Sequence, residues 1–359
     1  MIRCDALIVG GGPAGSTCAR ALHQAGWDVV VADRARFPRD KVCAGWLTPD
    51  VFTALELDPV EYEATGLTFQ RITRFRTGLM GRPLVETAYS RVVSYAIRRC
   101  EFDDFLLHRA GVRVLEGTPV ETFRRVNGTW IVNDSIEARV LIGAGGHFCP
   151  VARDLRGGAD TATPVVAKEA EFRRDPHAPG LVGDAPSLFF CRDLDGYGWC
   201  VPKGDYVNVG IGRRNSRDFA AHVRDFVSWL ERSRLLVDGG GVRWRGHAYL
   251  ASGAGPRPLV GAGVMLIGDA AGLAYPESGE GIKPAIVSAR LAADTLINAR
   301  GSFEADDLQS YADATCAAHP PAPRSSAPIR VMSGAVGRVL LGSPAFARHV
   351  VLNRWFLRL

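Results

Sequence analysis

The 359-residue chain is 47% hydrophobic and 23% charged, a globular balance that excludes a disordered or low-complexity protein. Its net charge of +5 is too small to argue for nucleic acid as a partner. The excess lies at the C-terminus, where no acidic residue follows Asp313 but Arg324, Arg330, Arg338, Arg348, Arg354 and Arg358 do.

In chain order, Asp5–Gly10 reads as a buried strand, a short apolar run closed by glycine. A helix over Pro13–Gly26 and a second buried strand over Asp28–Asp33 complete a βαβ start whose strands suit a parallel sheet. Val92–Ala110 reads as a turn and an amphipathic helix, and Ala138–Ala144 as another buried strand running into glycines. From Pro164 to Gly212 the pattern becomes a succession of strands, followed by a helix over Ser216–Leu236 and a strand over Val242–Leu250. Val264–Gly268 returns to the buried-strand pattern, and Gly281–Asn298 is a long helix. Pro320–Pro328 is a proline-rich break before the basic tail. The expected fold class is α/β: a discontinuous Rossmann-like nucleotide domain with an inserted mixed β-sheet domain and a C-terminal helical tail.

The eight cysteines are scattered, without a C-x-x-C pair or zinc-type Cys/His spacing. No metal is therefore expected, and reduced thiols fit a cytoplasmic protein. No uncharged apolar run reaches bilayer length.

Gly10-x-Gly12-x-x-Gly15 joins the first strand to the first helix. Gly10 permits a tight turn, Gly12 lets a pyrophosphate approach the backbone, and Gly15 lets helix and strand pack closely. The phosphates would meet free N–H groups at the helix N-terminus, and Asp33 could accept from a ribose hydroxyl. A second strand–turn–helix, Gly268-Asp269-Ala270-Ala271-Gly272 followed by Pro276-Glu277-Ser278-Gly279-Glu280-Gly281-Ile282, offers Asp269 to a ribityl hydroxyl. There Gly279 and Gly281 would let backbone lie against a ring edge, and the helix dipole would favour an anionic ring.

These paired marks, GGGPAG and IGDAAG some 250 residues apart, resemble the flavoprotein superfamily built like p-hydroxybenzoate hydroxylase. Arg99-x-x-Phe102-Asp103 is similar to its third recurring element, with a solvated helix arginine as the plain alternative. The resemblance implies FAD, held by Gly10, Gly12, Pro13, Ala14, Gly15, Asp33, Arg34, Cys43, Ala44, Arg99, Gly268, Asp269, Gly279, Gly281 and Ile282. It also implies an FAD domain over 1–65, 92–160 and 255–320, a substrate domain over 66–91 and 161–254, and a tail over 321–359.

Three stretches resemble the geranylgeranyl reductase branch: Lys41-Val42-Cys43-Ala44-Gly45, Tyr197-Gly198-Trp199-Cys200-Val201-Pro202-Lys203, and the Pro276–Ile282 loop. This implies reduction of carbon–carbon double bonds in an isoprenoid or other hydrophobic substrate, with Cys43 as the candidate catalytic group. Tyr197, Trp199, Pro202, Lys203 and Pro276 would contact the substrate. Cys43 could equally be a small buried hydrophobe, and Tyr197 and Trp199 could be core. Gly145-Gly146 replaces the superfamily's usual Asp-Gly pair, which weakens a hydroxylase reading and leaves the electron donor open between NAD(P)H and a reduced protein. An aromatic monooxygenase or halogenase, an electron carrier to a quinone or protein, and a degenerate flavoprotein are the alternatives. The tail, with Trp355, Phe356 and Leu357 beside its arginines, reads either as a peripheral contact with a membrane surface or as a packed helix.

Overall fold

The computed structural model describes residues 1–158, 162–174, 185–233, 235–236, 242–253, 257–299, 301–320 and 334–359. Arg324, Arg330 and the proline-rich break beyond residue 320 lie outside them. The chain divides into two compact units: Met1–Arg39, Cys100–Thr163 and Tyr249–Pro321 form the first, and Asp40–Arg99, Pro164–Ala248 and Ala322–Leu359 the second.

The first unit is built on a sheet whose spatial order is Val260–Gly261, Val264–Leu266, Ile136–Gly143, Ile2–Val9, Val29–Asp33, Arg113–Glu116. From Val264–Leu266 to Arg113–Glu116 every pairing is parallel. The strands are apolar on both faces because both faces are covered: Leu7, Ile8, Val31 and Leu141 are all fully buried. Helix Pro13–Gln24 buries Cys18, Ala19 and Leu22, and it lies against helix Ile282–Asn298, which buries Ala285, Ala289, Ala292 and Ala293. Small side chains let these helices approach closely. Strand Ile2–Val9 has Val29–Asp33 on one side and Ile136–Gly143 on the other, so the chain order reverses there. In open α/β sheets ligands bind at the carboxyl ends of the strands beside such a switch point. Hydrogen bonds continue past those ends, from Gly10 N–H to Ala32 O, Ala144 N–H to Val9 O and Ile267 N–H to Gly143 O.

The second unit carries a sheet ordered Arg245–Tyr249, Val165–Arg173, Tyr206–Arg213, Gly196–Lys203, Ser187–Phe190, Arg74–Leu79, Val85–Ala88. Helix Phe219–Arg232 covers one face, setting Val223, Phe226 and Leu230 against Phe189, Cys200, Val209 and Ile211. The other face holds Phe75, Leu188, Phe190, Trp199 and Val201 together with Val351, Leu352, Trp355, Phe356 and Leu357 from the C-terminus.

Two expectations are corrected here. Residues 40–65 and 92–99 fall in the second unit, because Trp46–Leu47 and Phe69–Ile72 both pair with Ser94–Ile97, a strand that the sequence reading took for a turn. Trp355, Phe356 and Leu357 are not surface anchors: they are only 5%, 6% and 2% exposed. Phe356 stacks on Trp46 at 5.5 Å and meets Tyr197 edge-on at 5.2 Å. Among the described residues no helix is long and apolar enough to cross a membrane.

Truncating Phe356 should therefore act as a core deletion. Phe356→Ala is expected to lower unfolding stability by about 3–5 kcal/mol, read by urea denaturation. A loss within about 0.5 kcal/mol, as at a surface site, would contradict this packing.

Candidate functional site

In the first unit the three glycines of the opening motif have different causes. Gly10 has φ +113°, and a Cβ there would lie 2.5 Å from the Ala144 carbonyl oxygen. A Cβ on Gly15 would lie 1.8 Å from the Gly10 carbonyl oxygen. Gly10 is required by the close approach of the backbone that follows strand Ile136–Gly143, and Gly15 by the packing of helix on strand. Gly12 is not: its φ of −73° suits any residue, and an added Cβ would meet only the movable Nη2 of Arg39, at 3.2 Å. Over Gly12 at the start of helix Pro13–Gln24 stands only a movable arginine tip, and an anionic phosphate would suit the helix N-terminus there.

Asp33 closes the same loop. Its carboxylate accepts from the Gly11 N–H at 2.7 Å and the Ala35 N–H at 2.8 Å. A carboxylate has about four acceptor sites, so capacity for a ribose hydroxyl remains. Arg34, next in the chain, is exposed, whereas Pro13 and Ala14 are buried. Sequence reasoning missed Arg39, whose Nη1 lies 3.3 Å from the fully buried carboxylate of Asp103. Its guanidinium stands over the Phe37 ring. Asp103 belongs to the Arg99-x-x-Phe-Asp element, which was the available signal; in a chain so rich in arginine its partner was not distinguishable. Arg99, the first residue of helix Arg99–Arg109, is 7% exposed, so the solvated reading is corrected.

The second segment reaches the first within this unit. Gly268 has φ +62°, and a Cβ on it would lie 2.9 Å from Ala14 Cβ. The Gly268 N–H donates to Ser288 Oγ at 3.0 Å. Asp269 sits in the tight turn Gly268–Ala270, and a Cβ on Gly281 would come within 2.9 Å of Asp269 Oδ1. Gly281 therefore makes room for the Asp269 carboxylate. Gly279 departs from expectation: a Cβ there would meet the Tyr249 hydroxyl at 2.1 Å, so its own fold already accounts for it. Ile282 begins helix Ile282–Asn298 with its side chain buried, and Pro276 is half-buried.

The second unit gathers the other motif residues. Gly45 N–H points to Cys43 Sγ at 3.4 Å, and Cys43 and Ala44 are half-buried. A side chain on Gly45 would strike the Ile97 carbonyl oxygen at 2.1 Å and Lys203 Nζ at 2.6 Å, so the Lys41–Gly45 and Tyr197–Lys203 stretches meet there. Strand register places Glu169 opposite Gly210 and Gly210 opposite Trp199, with Glu171, Asn208 and Val201 forming the next row. Tyr197, Trp199, Val201 and Lys203 thus share a face with Glu169, Glu171 and Asn208.

Three of the expected substrate contacts are built into the packed sheet. Lys203 is fully buried and donates to Glu171 Oε2 at 2.6 Å, so it is an ion-pair partner. Arg98 Nε binds the other Glu171 oxygen at 3.0 Å. Burial pushes the Glu171 carboxyl up, but Lys203 and Arg98 outweigh it and hold the group below the usual carboxylate range. Trp199 is core, 7% exposed, with its indole N–H donating to Asn208 Oδ1 at 2.6 Å. Pro202 alternates onto the opposite face, beside Cys200 and away from Tyr197. Tyr197 remains half-buried. Glu169, which sequence reasoning missed, is buried and its carboxyl is pushed up to about 7, chiefly by burial. Its strand read only as an alternating segment, and nothing local marks which glutamate loses its water.

Comparison with known proteins decides the class. The FAD binding domain family matches residues 3–158. A menaquinone reductase of Mycobacterium tuberculosis is 32% identical over 317 residues, covering 81% of this chain and 76% of its own. The chain belongs to the flavin-dependent geranylgeranyl reductase and menaquinone reductase family. A geranylgeranyl diphosphate reductase of Synechocystis, 27% identical, spans 81% of this chain and 74% of its own. In fold, the family member resembles a geranylgeranyl bacteriochlorophyll reductase-like protein from Thermoplasma acidophilum, with TM-score 0.78 and 20% identity over 95% of this chain and 91% of that one. This reductase-family chain is an FAD-binding enzyme, and the small Gly12 at the helix start, the cation of Arg39 and the carboxylate of Asp33 suit that cofactor. Among the described residues no His, Cys, Asp or Glu group is arranged to hold a metal.

Gly12→Ala should leave folding stability within about 0.5 kcal/mol, because only a flexible arginine tip opposes the new methyl. FAD affinity should fall by at least about tenfold, roughly 1.4 kcal/mol, in a flavin-fluorescence titration. Undiminished affinity would remove Gly12 from the site.

Proposed function

We propose that this protein reduces carbon–carbon double bonds in the isoprenoid chain of a hydrophobic substrate. The observation that carries this reading is the convergence of the Lys41–Gly45 and Tyr197–Lys203 stretches, at Gly45 and Lys203 Nζ, in one packed cluster. The two stretches resemble those of prenyl-reducing enzymes and lie more than 150 residues apart in the chain, so their meeting supports a shared purpose. The names of the relatives agree in chemistry: menaquinone reductase, geranylgeranyl diphosphate reductase and digeranylgeranylglycerophospholipid reductase.

In this reading Gly12 and the helix start at Pro13–Ala14 receive the pyrophosphate of FAD, Arg39 offsets its charge, and Asp33 accepts from the ribose. Gly10 and Gly15 shape the loop, Gly268 and Gly281 set Asp269 for a ribityl hydroxyl, and Arg99 completes the cofactor residues. When bound and reduced, FAD supplies the hydride. An isolated alkene is a poor hydride acceptor, so a proton must reach the other carbon in the same event. Cys43 is the candidate group for placing that proton or the alkene. Tyr197 and Pro276, both half-buried, are the remaining candidate substrate contacts.

The electron donor is NAD(P)H or a reduced protein, and the setting is cytoplasmic. Contact with a membrane surface would fall to exposed Arg338, Val336 and Val339 rather than to the buried aromatics at the C-terminus.

The test is anaerobic reduction of the bound flavin, followed by reoxidation with a panel of isoprenoids and mass analysis. At least one should gain two hydrogens per flavin reoxidised. Reoxidation by none of them, with oxygen-dependent modification of an aromatic compound instead, would overturn the reading.

A further inference from the structure

Lys41 opens the stretch that carries Cys43, yet it is neither among the cofactor residues nor used in the proposed chemistry. Its Nζ lies 2.8 Å from Nε2 of His247, on the edge strand Arg245–Tyr249. Lys41 and His247 are both half-buried. One residue earlier, Asp40 forms an ion pair with Arg245. Arg245 and His247 stand two apart on one strand and so share a face, and together they hold two consecutive residues of the chain. The stretch is fixed again at its other end. The Ile97 N–H donates to the Gly45 carbonyl at 2.8 Å, and the Ile97 oxygen and Lys203 Nζ leave no room for a side chain on Gly45. We propose that His247 is a positioning residue for Cys43: it anchors the near end of the Lys41–Gly45 stretch, as Ile97 anchors the far end, and the thiol is presented from the span between them. The functional weight of this anchor rests on the reading of Cys43 as the group that places the proton or the alkene.

The chemistry of the pair fixes the state of the ring. A lysine ammonium has donors and no acceptor, so the imidazole nitrogen facing it must accept. Nζ is 3.4 Å from Nδ1 against 2.8 Å from Nε2, which makes Nε2 the acceptor. His247 is then neutral, with its proton on Nδ1, because the bond made at one ring nitrogen sets the tautomer at the other. Of the two contacts at the near end, this one holds the stretch more firmly. The Asp40–Arg245 pair is 55% and 39% exposed, and exposed pairs of that kind contribute little. The bond from Lys41 is charge-assisted, roughly twice as strong as a neutral one. Between the anchors lie Val42, Cys43 and Ala44, so few residues that the thiol cannot shift far while both ends hold. The Gly45 N–H, pointing to Cys43 Sγ at 3.4 Å, turns the thiol toward the far anchor.

The test reads the anchor and needs no substrate, so its failure is separable from failure of the prenyl reading. The FAD-loaded full chain is labelled with 15N-histidine, and the His247 ring is assigned by its loss in His247→Gln. At a pH above the ordinary histidine range the ring should carry its proton on Nδ1, and Lys41→Met should move the Nε2 resonance. Amide hydrogen exchange of residues 41–45, Cys43 included, is measured in the same full chain. It should quicken by at least about tenfold in His247→Leu, the scale of one lost bond to a charged group. It should stay near the unmutated rate in His247→Gln, whose side-chain oxygen can accept in place of Nε2. A ring protonated on Nε2, unchanged exchange in His247→Leu, or exchange as fast in His247→Gln as in His247→Leu overturns the proposal. If His247→Leu does not fold, an Nε2 resonance unmoved in Lys41→Met overturns it.

Discussion

The first unit depends on one steric constraint, the close approach of backbone to backbone where the opening strand turns into its helix. With a Cβ on Gly15 falling 1.8 Å from the Gly10 carbonyl oxygen, no other residue lets helix Pro13–Gln24 start so near the sheet. That placement puts Ala14 against Gly268, and the second glycine-bearing turn is thereby brought to the helix start. Hydrogen bonding holds what sterics permit: Asp33 ties the loop through Gly11 and Ala35, and Ser288 ties Gly268 to the long helix. Of the motif's three glycines, Gly12 is the one left with no backbone reason to be glycine, and the proposed pyrophosphate contact would supply one.

The second unit is governed by charge. A fully buried lysine is tolerated only when paired, and Lys203 is paired with Glu171, which also takes Arg98. Having satisfied one carboxylate, this cluster leaves the neighbouring one short of partners. Glu169 is buried with one carboxyl oxygen unpartnered, and burial above all pushes its carboxyl up to about 7. Displaced carboxyl values of this kind concentrate where proteins do chemistry. On the same face Trp46, Tyr197, Trp199 and Phe356 pack into one apolar cluster.

Much of the first unit was legible in the chain because its signals are local. Apolar runs such as Ala6–Val9 and Val29–Ala32, glycines at fixed spacing and a terminal aspartate carry their meaning within thirty residues. The second unit was harder to read. Ser94–Ile97 looks like a turn until Trp46–Leu47 and Phe69–Ile72 arrive on either side of it. Trp355 and Phe356 beside arginines look like membrane anchors until a sheet face offers them burial. Lys203 was recognised as part of a motif, yet its role depends on Glu171, thirty-two residues away and invisible without the register. The pairing of Arg39 with Asp103 was hidden for the same reason: an ion pair across separate segments has no sequence period.

The central claim is that two glycine-bearing turns, one at each end of the first unit's chain, hold a single FAD. Hydrogen exchange on the apoprotein during FAD titration tests this most directly. Amides around Gly12 and those around Gly281 should gain protection together, with one concentration dependence. Protection of one segment alone, or of the two at separate concentrations, would contradict the account.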